Sequence, residues 1–364
     1  MDRYGTDLMP RIFYVSKRLP SSCGVARHHT YIWNVLSSIG SVVDLSRAGN
    51  ATESQSLITC LKMFADVLRH RPRTGDIFFV ELAGRFLCQF YSALMITRFF
   101  PSVKTAVYLH DVPSVVGDPR LFREFDRRFF RWARLFFFPF INIEALVLRR
   151  STVIATNAIA RDSVEQIYGV SCSLLPLVYS DYNADQKDKI CFVPGPICVT
   201  DAHLLIESLQ KSLPDFQLQV GFVTGIDTEV LALERQYRRV VFLGYLSDEA
   251  LKNAYKSAKI VVRYRPGSAT GNQYASSSPV VYGAAEGCFV LTNDARGSKE
   301  FFDCGAGLEF HDIEELGNLL TSLLASDEKM ALVIEKSKEY YEANHTVCSA
   351  IGRVTDILGY AVEN

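Results

Sequence analysis

"YASSSPVVYGAAEGCFVLTNDARGSKE" runs from Tyr274 to Glu300. A polar serine-rich loop comes first, then a helix of small residues. Gly287 ends that helix, as glycine often does. "CFVLTN" is a short apolar strand and Gly297 makes a turn. Glu300 lies near the start of the next helix, where a carboxylate complements the helix dipole. Strand and helix alternating at this pace belong to a parallel sheet with helices on its faces.

The same rhythm extends in both directions. "RIFYVS", "SVVDLS", "DIFFVEL", "TAVYLHD" and "STVIATN" read as strands separated by helices such as "TYIWNVLSSIG". The polar stretch "SDYNADQKDK" (180–189) interrupts the pattern and reads as a linker. The alternation then restarts with "ICFVPGPI", "DAHLLIESLQKSL", "FQLQVGFVTG", "VVFLGYL", "DEALKNAYKSA" and "KIVVRYR". The expectation is two doubly wound domains, 1–185 and 186–344, with a final helix over 345–364 returning to the first. No tandem repeat or low-complexity segment appears.

The bulk numbers agree with this. A chain of 364 residues is long enough for two cores. With 48% hydrophobic and 22% charged residues it is globular rather than disordered. A net charge of −1 supplies no global field for nucleic acid, so none is expected as a partner. The nine cysteines are scattered, with no CxxC pair. That argues against a disulfide framework or a zinc site and for a reducing, cytoplasmic compartment. The first residues do not read as a signal peptide, so none is expected. The longest apolar tracts, such as 78–100, are broken by charges, so a transmembrane helix is not expected.

Ligands of open parallel sheets bind at the carboxyl ends of strands. Four stretches fall there. In "SKRLPSSCGVARHH", Gly24 lets the backbone approach a phosphate, the following helix aims N–H groups at it, and Arg27 adds charge. The plainer reading is an ordinary strand-to-helix turn. "TAVYLHD" ends on His110 and Asp111, a pair suited to proton transfer or to sugar hydroxyls. The alternative is a capping Asp111 and a semi-buried His110. Gly195 marks the turn of "ICFVPGPI". "KIVVRYRPGSATGNQYASSS" aims Arg263 and Arg265 to one side by strand alternation, where guanidinium forks suit a diphosphate. Ser276, Ser277 and Ser278 precede a helix and either hold phosphate or cap it. No acidic pair suggests a bound metal.

"GDPRLFREFDRRFFRWARLFFFPF" (117–140) has another character. Phe125, Phe129, Trp132 and Phe136 share a stripe with Phe122. Arg120, Arg123, Arg127 and Arg131 lie opposite, with Arg134. An aromatic stripe backed by arginines is a membrane-surface signature, and equally a core stripe with a solvated back. The first option makes the protein peripheral on the cytoplasmic membrane face.

Taken in order, these pieces resemble the GT-B glycosyltransferases of group 1 (family 4-like). "SSCGVARHH" is similar to the family's first glycine loop, "YLHD" to its strand ending in His-Asp, and "LLPLVYSD" to its isoleucine-proline-asparagine-glycine turn. "FLGYLSDEALKNAYKSAKIVV" and "GAAEGCFVLTNDARGSKEF" resemble its C-terminal domain. The resemblance implies α/β architecture: GT-B, two Rossmann-like domains facing across a cleft, with the nucleotide-sugar donor on the second and the acceptor on the first. It implies no bound cofactor and no metal. Two departures stand out. The family's two donor-site glutamates, eight positions apart, align with Tyr274 and Tyr282. Its basic pair after the first C-terminal strand is missing, because Pro196 follows Gly195 and Thr200 or Asp201 replaces the lysine. Arg263, Arg265 and Arg296 would then neutralise the diphosphate, with Glu300 as a further donor contact.

The expected function is transfer of a sugar from a nucleoside-diphosphate sugar to a saccharide or lipid-linked saccharide, in glycan assembly. His110 and Asp111 would face the reacting centre, and the stereochemistry is open. The alternative is a non-catalytic GT-B scaffold that binds a nucleotide sugar or glycan without turnover. An epimerase of related fold is a third option.

Overall fold

The structure is a computed structural model. It describes residues 10–18, 24–45, 47–48, 57–82, 93, 95–110, 145–183, 185–265 and 277–359. The chain divides into two compact units. The first runs to Val178 and takes back the stretch from Val347, and the second begins at Tyr179 and ends at Thr346.

The first unit holds β1 (Arg11–Val15), α1 (Gly24–Ile39), β2 (Ser41–Asp44), α2 (Leu57–Arg69), β3 (Ile77–Leu82) and β4 (Lys104–Leu109). It continues through β5 (Thr152–Ala155), α3 (Ala158–Tyr168) and β6 (Cys172–Leu174). The second holds β7 (Asp188–Val193), α4 (Val199–Ser212), β8 (Gln217–Val220), α5 (Asp227–Gln236), β9 (Val240–Phe242), α6 (Asp248–Ser257) and β10 (Ala258–Arg263). After these come α7 (Ser278–Ala285), β11 (Phe289–Thr292), α8 (Lys299–Asp303), β12 (Leu308–Glu309), α9 (Ile313–Leu324) and α10 (Asp327–Asn344). The last helix, α11 (Val347–Leu358), belongs to the first unit.

Each unit carries a six-stranded sheet, in the orders β2-β1-β3-β4-β5-β6 and β9-β8-β7-β10-β11-β12. Every strand pair in the two sheets is parallel. This is the doubly wound α/β architecture expected from the alternation. The order reverses between β1 and β3 in the first sheet and between β7 and β10 in the second. Such switch points open a crevice at the carboxyl edge, where ligands of these folds bind.

Strand parity decides which side chains reach the first switch point. Phe13 and Val15 join Phe78, Val80 and Leu82 in one core with Met63 and Val67 of α2 and Val164 of α3. Ile12 and Tyr14 join Phe79, Ala106 and Tyr108 in a second core with Val35 and Leu36 of α1 and Ala350 and Val354 of α11. Successive strand residues alternate faces. Ser16, Glu81 and His110 continue the second set at the carboxyl ends of β1, β3 and β4, and so fall on the α1 side. Lys104 Nζ donates to the carbonyl of Leu358 at 2.6 Å, which closes the C-terminal end of α11.

Two glycines shape the ends of the second sheet, Gly195 at its carboxyl edge and Gly287 at its amino edge. A Cβ on Gly195 would overlap the backbone of Phe222, so the loops after β7 and β8 meet backbone to backbone. Gly287 takes φ +68° just past α7 and turns the chain into β11, as its sequence position suggests. Among the described residues, no helix is long and apolar enough to cross a membrane.

Candidate functional site

Each unit gathers polar groups at its switch point. In the first, Glu81 is enclosed, with 0% of its side chain exposed. An unpaired buried carboxylate costs several kcal/mol, on the order that the whole fold is stable by. Glu81 meets that cost with donors from three elements. His110 Nε2 lies 2.5 Å from Oε1, and His29 Nδ1 lies 2.5 Å from Oε2. The Tyr14 hydroxyl donates to Oε2. His28 Nε2 is 3.6 Å from Oε1, and its Nδ1 is 3.1 Å from the carbonyl of Val178. The His28 and His110 rings meet edge to face at 4.8 Å. Ser16 Oγ lies 2.8 Å from His29 Nδ1.

The electrostatics follow from this packing. Burial alone would raise the Glu81 pKa. The charge of His29 and hydrogen bonds from His110 and His29 outweigh it and hold the carboxylate well below its usual range. Tyr14 is pushed well up, first by burial and then by the Glu81 charge. His28 is pushed down to about 3, first by burial and then by the charge of His110.

His28, Glu81 and His110 bring one ligand atom each within 4.8 Å of one another, a spacing that suits a metal ion. Both Glu81 oxygens already accept hydrogen bonds from imidazole, at 2.5 Å.

At the second switch point Arg263 ends β10 and is 8% exposed. Nη1 reaches the carbonyl of Tyr264 at 3.3 Å, and Nε has no hydrogen-bond partner among the described residues. Burial, then the charge of Arg265, lowers its pKa to about 10. Arg265 and Arg296 are placed differently. Both hold Asp294: Arg265 Nη1 to Oδ2 at 3.0 Å, and Arg296 Nε to Oδ1 at 2.6 Å. Burial alone would raise Asp294, but the Arg296 hydrogen bond and both arginine charges keep it low. Arg263 and Arg265 are thus brought together, as expected, but only Arg263 lacks a carboxylate partner among the described residues.

The other expected residues separate. The Ser277 N–H donates to Ser298 Oγ at 3.3 Å, and Ser278 Oγ accepts from the Tyr179 hydroxyl at 3.2 Å. Tyr282 packs between Tyr179 at 4.5 Å and Tyr255, which it stacks on at 5.6 Å. Its hydroxyl is enclosed. Glu300 lies in the first turn of α8. Gly195 serves the backbone contact described above, and Gly24 is the first residue of α1. The Arg27 side chain, Asp111, Tyr274, Ser276 and the arginine-aromatic segment 117–140 lie outside the described residues.

The position that aligns with a donor-site glutamate is therefore a packing position. Replacing Tyr282 with phenylalanine should leave nucleotide-sugar affinity within about twofold. Alanine should destabilise the second unit by about 2–4 kcal/mol through the cavity left between the two tyrosines. Urea unfolding and ligand titration of both variants check this. A large loss of affinity in the phenylalanine variant would make the hydroxyl a ligand group instead.

Glu81 and His29 escaped the sequence reading. The signal was a single carboxylate in an otherwise apolar strand, "IFFVEL" (77–82), on the same parity as Tyr14 and His110.

Residues 202–356 match the family described as glycosyl transferase-like. No curated protein matches the chain. Solved structures do, over nearly its whole length. Anabaena Alr3699/HepE in complex with UDP and glucose superposes with a TM-score of 0.62 at 12% identity, covering 96% of this chain and 99% of that one. A sucrose-phosphate synthase from Thermosynechococcus elongatus gives 0.62 at 13%, covering 96% and 98%. A glycosyltransferase from Rickettsia africae gives 0.63 at 13%, covering 98% and 100%. Residues 202–356 thus carry the likeness to the glycosyl transferase-like family, and the chain as a whole shares the two-domain fold of these structures.

Proposed function

We propose that this chain moves a sugar from a nucleoside-diphosphate sugar to a saccharide or lipid-linked saccharide acceptor. The second unit takes the donor and the first takes the acceptor. The observation that carries the reading is Arg263. A guanidinium this buried, at a switch point and without a carboxylate partner among the described residues, suits an arriving anion. The diphosphate of the donor is such an anion, and its leaving group gains charge in the transition state, where a fixed cation helps most. Arg263 takes the part of the basic pair that Pro196 and Thr200 or Asp201 displace. His110 would meet the acceptor with Nδ1, since Nε2 is committed to Glu81. UDP is the first nucleotide to try, because HepE has been solved with UDP and with UDP-glucose.

A second reading, a scaffold without turnover, draws on Tyr282, whose ring occupies a donor-site glutamate position as packing. Thermal unfolding with UDP-, GDP-, dTDP- and ADP-sugars separates the two. A ligand bound only to the folded state at a hundredfold excess over Kd stabilises it by about 2.7 kcal/mol, or about 5 °C or more. One donor should give this shift and release its nucleotide over time. No shift from any donor at millimolar concentration would abandon the transferase reading, and a shift without turnover would favour the scaffold.

A further inference from the structure

The first switch point contains more than the His110 the sequence pointed to. Glu81 lies at the centre of it, fully enclosed, and does not reach solvent. It touches both histidines that have some exposure: His29, whose side chain is 13% exposed, and His110, at 6%. We propose that Glu81 is a positioning residue for sugar transfer. Its carboxylate holds the rings of His29 and His110 at once and decides which nitrogen of each carries the proton. This rests on the transferase reading above.

The argument is geometric. A carboxylate only accepts, so each ring nitrogen turned toward it must carry hydrogen. Contact with Glu81 therefore puts the proton of His110 on Nε2 and that of His29 on Nδ1. The opposite nitrogens are then acceptors: Nε2 of His29 takes the Ser16 hydroxyl at 3.0 Å, and Nδ1 of His110 is the one offered to a substrate. An acceptor nitrogen at the carboxyl edge is what a sugar hydroxyl needs as it gives up its proton. Any positive charge that develops on either ring meets the Glu81 charge in a water-poor setting, where the attraction is strong. Among the described residues, Tyr14 of β1, His28 and His29 on α1 and His110 after β4 lie against the carboxylate, Ser16 lies against His29, and Tyr108 packs on the His28 and His110 rings. The charge of Asp44 of β2 acts on Tyr14. Apart from Glu81 itself and the more distant Asp44, none of these is a carboxylate. Among the described residues, a single carboxylate thus serves the histidine cluster.

The test uses the full chain labelled with nitrogen-15 at histidine. Long-range proton-nitrogen spectra at pH 7.5 read the tautomer of each ring, with His28→Gln, His29→Asn and His110→Gln assigning the signals. The wild type should show His110 protonated on Nε2 and His29 on Nδ1. Glu81→Gln offers an amide to one ring and a carbonyl to the other, so at least one tautomer should invert. With UDP-glucose, kcat for UDP release should fall about 10–100-fold with KM within about threefold, less than the loss of a direct proton acceptor. Glu81→Asp should recover part of it. A wild-type His110 protonated on Nδ1 overturns the proposal, and needs no variant to fold. So does an unchanged spectrum in Glu81→Gln, or a change confined to KM. About one zinc per purified chain, lost in Glu81→Gln, would assign the cluster to a metal instead. If UDP-glucose neither stabilises the wild type nor turns over while the tautomers are as stated, it is the transferase reading with this donor that fails.

Discussion

Replacing Arg263 with methionine should abolish nucleotide-sugar stabilisation while leaving the ligand-free protein as stable as before, or more so. Two costs set the sign. In the free protein the guanidinium is 8% exposed and has no described carboxylate partner, so it is a charge buried at a loss. Methionine fills much of the same volume with no charge and adapts to an irregular space. In the complex the same charge meets the diphosphate, and truncating one member of a buried charge pair costs about 2–5 kcal/mol. Donor affinity should therefore fall about 100-fold. Arg265 and Arg296 serve as the control, because both hold Asp294, at 3.0 Å and 2.6 Å. Removing either leaves Asp294 less compensated and should lower the ligand-free melting temperature. Thermal unfolding of the three single variants, with and without the best donor, decides the matter. A methionine variant that still responds to donor as the wild type does would remove Arg263 from the site. A loss of ligand-free stability would make it a structural cation.

Most of the architecture was legible in the sequence because parallel strands and their helices punctuate a chain clearly. β3, β4 and β10 fall where "DIFFVEL", "TAVYLHD" and "KIVVRYR" place them, and Gly287 ends α7 as read. The chemistry was harder to see for two physical reasons. Glu81 sits in an apolar strand, and its importance comes from neighbours on α1 and β4 that only the fold brings near. Arg263, Arg265 and Arg296 look alike as residues. Asp294 distinguishes them by pairing with two of the three. Tyr282 aligns with a donor-site glutamate. Its neighbours Tyr179 and Tyr255 are far off in sequence and make it an interior ring.

The histidine-glutamate cluster should also make the first unit labile to acid, starting close to neutral pH. His28 is fully buried, and its pKa falls from 6.5 to about 3, first through burial and then through the charge of His110. The unfolded chain therefore takes up a proton below about pH 6.5 that the folded chain refuses until about pH 3. Between these values the unfolded state binds more protons, so stability rises with pH and is lost as pH falls. The full window corresponds to about 4–5 kcal/mol as an upper bound, a large part of an ordinary domain's stability. Glu81 acts in the same direction lower down. Its folded pKa is depressed, so its contribution is present above the unfolded carboxylate value and disappears as pH falls through the folded one. Loss above pH 5 thus belongs to His28, and the carboxylate joins in only below about pH 4.5. Trp33 lies in α1 of the first unit, so its fluorescence follows that unit during urea unfolding. The urea midpoint should fall steadily from pH 7 to pH 5 in the wild type and much less in His28→Gln. A flat wild-type midpoint over that range, or an equal slope in the variant, would mean that His28 takes up its proton in the folded state as readily as in the unfolded chain.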